Sequence, residues 1–414
     1  MANEPAPLQE IRRIPGGMDG VPVDWKWAHL DTVCFGIFDC PHSTPNLTTD
    51  GPYVARTQDV ITGIFRADKA AHVSPETYQD RIRRAEPKHG DLLYSREGTY
   101  FGIAAEVPAD VQVCLGQRMV LIRPNPEKVH FRFLRYWLNS PVMAAHVHGH
   151  RDGSVAERLN LPTIRSLPVI LPGVAEQAAV ASTLGALDDK IALNKRIAAV
   201  ADDLAMTLVS GGLWRERVRL DEICKLQKDQ VAPQGITDET VDHYSLPAFD
   251  TGKLPERVSP ESIKSGKFTV TEPSVLLSKL NPDIPRVWNV TPNPGVPSLA
   301  STEFLVLTPR GALSTHELWS VIGQRSFLED IASKVTGTSK SHQRVRPTEV
   351  MTTEVVDPRQ FGETGAQIRS LASRAVAARE ESQTLAALRD TLLPQLMSGL
   401  LRVKDAEKIV EDHA

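Results

Sequence analysis

Val180, Leu184, Leu187, Ile191, Asn194, Ala198, Ala201, Ala205 and Leu208 recur at alternating steps of four and three residues within the stretch Glu176 to Leu208. That spacing is the seam of a coiled coil, narrower than the stripe of an ordinary surface helix. The stretch therefore predicts one long helix that needs a partner. Pro172 and Gly173 precede it and Gly211-Gly212 follow it, so start and stop signals agree with the period. At 1.5 Å per residue the element is roughly 50 Å long. Asn194 falls near the middle of the seam, where a buried amide fixes register at some cost in stability. Ile368, Leu371, Ala375, Ala378, Ser382, Leu385 and Leu392 repeat the alternation near the other end of the chain, weakened by Ser382 and Arg389. Alanines in both seams allow close approach, which predicts one intramolecular antiparallel pair with the intervening segment looped out.

A chain of 414 residues has room for two or three domains, each with its own core. Its net charge of -4 is near neutral, so nucleic-acid binding has to rest on local basic patches. The four cysteines, Cys34, Cys40, Cys114 and Cys224, have neither paired metal-ligand spacing nor disulfide-scaffold density, which points to a reducing compartment. Residues 1–13 carry no signal-peptide core, and no apolar run reaches the roughly 18 residues of a membrane span. A cytoplasmic protein with no membrane partner is expected.

Residues 1–24 look like an irregular lead-in. From Trp25 onward, short apolar runs bounded by Gly90, Gly98 and Pro124 read as strands: Tyr53-Val54-Ala55, Leu92-Leu93-Tyr94 and Met119-Val120-Leu121-Ile122, followed by a helix at Phe131 to Leu138. The same order returns after the long helix. Leu220 to Cys224 echoes Leu30 to Cys34, Val275 to Ser278 echoes Leu92 to Ser95, and Phe304 to Leu307 echoes Met119 to Ile122. Gly337-Thr338 matches Gly153-Ser154, and Pro358 matches Pro172. The repeat is about half the chain long, which exceeds a solenoid period of some 20 to 50 residues. It is a tandem duplication of one globular unit plus one long helix. The fold class expected is α+β: two mixed α/β heads separated by an antiparallel two-helix coiled coil, with pseudo-two-fold order. The domains are 25–172, the helix 173–212, 213–360, and a second helix with tail 361–414.

Two similar heads on a stiff spacer can measure a distance, such as that between half-sites one DNA turn (about 34–36 Å) apart. In the second head, Lys334, Lys340, Arg344 and Arg346 lie in a run without acids that also holds Thr338, Ser339 and Gln343. Cations there can neutralise phosphates, and the polar side chains can bond to backbone or base edges. A solvated basic loop is the alternative. In the first head the counterpart run is His146-Val147-His148-Gly149-His150-Arg151-Asp152-Gly153-Ser154, followed by Arg158. The histidines suggest metal ligation, but no cysteine or other histidine lies close by and the second copy lacks them, so DNA-facing side chains fit better. Arg96 and Lys279 follow equivalent strands and are further contact candidates, or ordinary surface.

The run Leu167-Pro168-Val169-Ile170-Leu171-Pro172 through Glu176-Gln177 to Leu184, Leu187-Asp188, Lys190-Ile191 and Asn194 resembles the central conserved region of the specificity subunit of type I restriction-modification systems. The tail Leu388 to Gly399, containing Leu393-Pro394-Gln395, is similar to that family's distal conserved region. Gly90-Asp91-Leu92-Leu93-Tyr94-Ser95-Arg96-Glu97-Gly98-Thr99 resembles a strand and turn of its target recognition domains; in the second head Leu280-Asn281-Pro282-Asp283 departs from it. The resemblance implies a non-catalytic reader of double-stranded DNA, with one target recognition domain per half of a split, asymmetric sequence. It implies docking of two modification subunits around the long helices, where Glu176, Gln177, Asp188, Lys190, Leu393 and Pro394 are candidate partner contacts. Restriction/translocase subunits complete the implied complex. S-adenosylmethionine, ATP and Mg2+ would sit on those partners, with none in this chain. Glu176 and Gln177 equally suit a local helix-capping role. An interaction scaffold with two protein-binding heads is the competing reading.

Catalysis by this chain is not expected. Asn125-Pro126-Glu127, Asn281-Pro282-Asp283 and Asn293-Pro294-Gly295 lack the second proline and aromatic residue of an amino-methyltransferase loop. Gly252-Lys253 and Gly266-Lys267 lack the flanking residues of a P-loop. Asp188-Asp189-Lys190 mimics a nuclease metal site, but on the heptad helix it reads as a solvated or partner-facing charge run.

Overall fold

The computed structural model describes residues 21–98, 100–149, 158–336 and 343–412. Most of the expected lead-in of residues 1–24 lies outside them. The chain forms two compact units, one of residues 1–189 with 385–414 and the other of residues 190–384. Two β-rich heads are joined by the long packed helices, and each unit takes part of both helices.

In unit 1 the strands are β1 (Lys26–His29), β2 (Cys34–Asp39), β3 (Thr48–Ala55), β4 (Ala71–His72), β5 (Leu92–Ser95), β6 (Ile103–Glu106), β7 (Val113–Leu115), β8 (Met119–Pro124) and β9 (Pro168–Leu171), besides a short hairpin in which Val60–Ile61 pairs with Ile64–Phe65. Between them lie helices α1 (Pro75–Arg81), α2 (Phe131–Leu138), α3 (Pro141–Gly149) and α4 (Leu161–Arg165). A four-stranded antiparallel sheet of order β2-β8-β5-β6 forms the centre, with Leu121 opposite both Phe38 and Leu93. Strands β5 and β8 are unbroken apolar runs because the sheet is covered on both faces. Leu93, Met119 and Leu121 pack on Ala55, Val113 and Leu115 of the smaller sheet β4-β3-β7, and α2 packs against β6. The edge of β6 is covered by a side chain and a hairpin: the Asn139 amide donates to the Ala104 carbonyl (2.8 Å) and accepts from its N–H (3.0 Å), and Gly63 N–H donates to the same carbonyl (3.0 Å). The head closes where β1 pairs with β9, Trp27 opposite Ile170.

Unit 2 repeats this plan. Its strands are β10 (Arg217–Arg219), β11 (Cys224–Gln227), β12 (Gln230–Val231), β13 (Val241–Tyr244), β14 (Glu256–Val258), β15 (Lys267–Thr269), β16 (Ser274–Ser278), β17 (Val287–Val290), β18 (Ser298–Ala300), β19 (Phe304–Pro309), β20 (Val335–Thr336), β21 (Arg344–Val345) and β22 (Glu354–Val356). The central sheet has order β11-β19-β16-β17, the counterpart of β2-β8-β5-β6, and β10 pairs with β22 to close the head. The second sheet is larger, of order β12-β15-β18-β13-β14. It keeps one parallel pair, β13 with β18, as β3 keeps one with β7.

The first long helix, α5, runs Val174–Ser210, two residues beyond the predicted stretch at each end. In unit 2 follow α6 (Leu220–Ile223), α7 (Leu246–Gly252), α8 (Thr315–Ile322), α9 (Arg325–Ser333) and α10 (Pro347–Thr352). The second long helix, α11, runs Glu363–Ser398 and contains Pro394, and α12 (Val403–Glu411) follows it. Within unit 1, Val180, Leu184 and Leu187 of α5 and Leu385 and Leu392 of α11 are buried, and Asp188 meets Arg389 at 2.8 Å. Within unit 2, Ile191, Asn194 and Ile368 are buried, Leu371 is half-buried, and Ala198, Ala201, Ala375 and Ala378 form one apolar cluster. Residue numbers that rise along α5 fall along α11 in both units, so the packing is antiparallel. Asn194 donates to Glu381 at 2.9 Å, and Glu381 also takes Lys190 at 3.1 Å. The seam drifts at its end: Val209 is buried where Leu208 is half-buried.

A seam of alanines leaves no room for larger side chains. Ala201→Leu is expected to lower stability by about 1–3 kcal/mol in denaturant unfolding, whereas Ala199→Leu on the exposed face stays within about 0.5 kcal/mol of the parent.

Candidate nucleic-acid interface

In each head the chain returns from its long loop to the end of one central strand. In unit 1, Leu159 N–H donates to the Arg96 carbonyl (2.9 Å), Arg96 N–H donates to Arg118 (3.1 Å), and Arg158 bridges Glu97. In unit 2, Val345 N–H donates to Lys279 (3.1 Å), Lys279 N–H donates to Glu303 (2.9 Å), and Arg344 bridges Leu280. Arg96 thus corresponds to Lys279, and Arg158 to Arg344. Arg118 corresponds to Glu303, which reverses the charge. Arg118 holds a left-handed backbone (φ 72°) at its turn. Sequence reasoning missed both Arg118 and Glu303, because nothing in their local pattern marks them.

The turn that follows is built on one backbone position. Gly98 has φ 87° in unit 1, and Asn281, at the equivalent place, has φ 48° in unit 2. Asparagine is among the few side-chain-bearing residues that tolerate this region, so the departure seen in the second head preserves the turn. In unit 2 the turn is tied to the returning loop, because Asn281 N–H donates to the Gln343 carbonyl at 2.8 Å.

Of the six described cations expected from the sequence, Arg96, Lys334 and Arg344 have carboxylate partners. Arg96 lies 3.4 Å from Asp39, which also takes His42 at 3.3 Å. Arg118 lies 3.3 Å from Glu97. Arg344 clasps Glu303 through two bonds of 2.9 and 3.1 Å. Those bonds, with burial opposing and the charges of Arg344 and Lys279 assisting, hold the Glu303 carboxyl below its ordinary range. Lys334 turns away from the group: it sits at the end of α9 and bonds Asp330 (2.9 Å) and the Thr353 hydroxyl (2.8 Å). Gln343 is half-buried, and Arg346 is exposed at the N-terminus of α10. Arg158 is exposed. The positions Arg151, Ser154, Thr338, Ser339 and Lys340 lie outside the described residues. His148 meets Phe101 edge-on, centroids 5.1 Å apart, and no group of metal ligands occurs among the described residues.

Residues 49–201 match the family model described as the type I restriction modification DNA specificity domain. That region, more than a third of the chain, takes in most of the first head and much of α5. Among solved structures, the type I restriction-modification S subunit from M. genitalium is 15% identical, covers 91% of this chain and 96% of its own, and superposes with a TM-score of 0.56. That likeness is one of fold. The HsdS subunit from Thermoanaerobacter tengcongensis is 17% identical over 92% of this chain and 98% of its own, at a TM-score of 0.36. No curated protein matches this sequence.

Two of the motifs that mimic catalysis have structural partners. The side chain of Asn293 donates to Asp242 at 2.7 Å, and Asp242 is also clasped by Arg257. Asp188, expected to face a partner, is turned inward within unit 1. It accepts from Tyr136 (2.6 Å), Arg389 (2.8 Å) and Arg135 (3.0 Å). Burial opposes its charge, but the bonds from Tyr136 and Arg389, with Arg135 alongside, keep the carboxyl below its ordinary range. Gln177 is likewise withdrawn from any partner: it is 0% exposed, accepts from His130 N–H (2.9 Å) and donates to the Pro172 (2.9 Å) and Lys128 (3.2 Å) carbonyls. Glu176 takes Trp25 (3.2 Å) and Arg402 (3.3 Å). Leu393 is half-buried and Pro394 exposed.

Asp188→Ala removes the shared acceptor of Tyr136, Arg135 and Arg389, while Arg135 keeps Glu106 (3.2 Å) and Arg389 keeps Asp390 (2.7 Å), so it is expected to cost about 1–3 kcal/mol in unfolding measurements. A residue that served only as a solvated charge would change stability by less than about 0.5 kcal/mol.

Proposed function

We propose that each head reads one half of a split, asymmetric DNA target through the edge where its central strand meets the returning loop. The observation that carries this reading is the paired construction. Both heads root a loop on the same strand end and place a cation there, Arg96 or Lys279, while the neighbouring side chains differ down to the sign of Arg118 against Glu303. One scaffold with divergent edges is what two readers of different half-sites require. Lys279, Arg158 and Arg346 engage phosphates, and the polar groups around them engage base edges. The helices that the units share set the gap between the halves.

In this reading the chain directs adenine methylation and ATP-dependent restriction by its partners, two modification subunits and the restriction/translocase subunits. S-adenosylmethionine, ATP and Mg2+ belong to those partners. An exposed stripe on α5 supports docking: Leu193, Val200 and Leu204 are 52%, 58% and 46% exposed and lie seven and four residues apart, on one face of the helix. Lys190 lies one turn before it. Asp188 and Gln177, being spent inside unit 1, drop out of the partner surface.

Single-molecule methylome sequencing tests the reading. A host expressing this chain with its methyltransferase subunit is expected to show methyladenine in both halves of a split motif, absent without the chain; identical methylomes overturn it. In the purified complex, Lys279→Ala is expected to weaken DNA binding at all sequences and reduce the salt slope by about 1. Changing Leu193, Val200 and Leu204 together to Ser is expected to abolish methyltransferase binding while the melting temperature of the isolated chain holds. The scaffold reading predicts no salt-dependent DNA affinity in either case.

A further inference from the structure

The turn between β16 and β17 presents an apolar side chain at the edge just described. Ile284 is 56% exposed. It rides on a braced turn, bracketed in sequence by Pro282 and Pro285 and closed by Ile284 N–H donating to the Asn281 carbonyl at 2.9 Å. Asn281 is bound in turn to Gln343, beside Arg344, and Arg286 clasps Asp250 with bonds of 2.7 and 2.8 Å at the start of β17. Two prolines and a β-branched side chain leave little freedom to lose on binding. The residue beside Ile284 is Asp283, exposed at the same apex.

This pair suits base edges and does not suit the DNA backbone. A carboxylate repels phosphates, whereas in the major groove it can accept from the amino group of cytosine, and a branched aliphatic group packs against the methyl group of thymine. We infer that Ile284 is a specificity-determining residue of unit 2 that reads a thymine through its C5-methyl group. The inference rests on the proposed function, since it names a base for the same edge. The unit 1 turn has Tyr100 near its apex, 42% exposed, which presents different chemistry for a different half-site.

The test uses the full chain in complex with its methyltransferase subunit and the duplex target given by the methylome. Each thymine is replaced in turn by uracil, which removes only the methyl group. One replacement is expected to weaken binding of the parent about fourfold, the value of one buried methyl-sized group, and to leave Ile284→Ala indifferent. Ile284→Val, which keeps a branched apolar group, retains part of the discrimination. The inference is overturned by a target without thymine in its halves, by equal binding of every uracil duplex, or by a uracil penalty of the same size in Ile284→Ala. Failure of the parent to prefer its target over a scrambled duplex is a separate result, and it overturns the DNA-reading proposal itself.

Discussion

Each head closes on itself before a long helix begins, and the rest of the architecture depends on that closure. In unit 1, β1 pairs with β9 and Leu30 N–H donates to the Leu167 carbonyl at 2.9 Å. In unit 2, β10 pairs with β22 and Leu220 N–H donates to Thr353 at 3.0 Å. The chain therefore leaves a head beside the point where it entered. Backbone ladders make this junction, so it does not depend on particular side chains. Everything between the closing strands can vary while the helix continues from the same place.

The attachment of each head to its helices uses different chemistry for the same need. In unit 1 the N–H of His130, at the start of α2, is satisfied by Gln177 from α5. In unit 2 the corresponding N–H of Ser314 is satisfied by Glu317 of its own helix, in a capping box, and Arg369 of α11 then binds Glu317 at 2.6 Å. A neutral amide does in one step what an ion pair does in two. A buried donor must be paired in either case, and duplication followed by divergence found separate solutions.

The features legible in the sequence were those with a period or an unbroken run. The alternation from Val180 to Leu208 gave α5, and the runs at Leu92 and Met119 gave the central strands, because burial on both faces leaves an apolar signature. The smaller sheets were harder: only Tyr53-Val54-Ala55 of β3 stood out, since its first half is exposed and polar. Charge roles were harder still. Asp188 looks solvated on a heptad diagram, and only the fold brings Tyr136, Arg135 and Arg389 to it. The cations at the loop roots were readable as residue types, but their carboxylate partners Asp39 and Glu303 come from distant segments. Asn281 shows the converse, a change of letters without a change of backbone.

The amide of Asn139 has a consequence for life in a crowded assembly. An outer strand with free N–H and C=O groups is a template on which another chain can add a strand. Asn139 answers both polar groups of Ala104, and Gly63 of the 60–65 hairpin donates to the same carbonyl (3.0 Å) and accepts from Glu106 N–H (3.4 Å). A foreign strand would have to displace these bonds before gaining any of its own. The head is thereby insured at this edge against cross-chain sheet growth by a side chain and a short hairpin acting together.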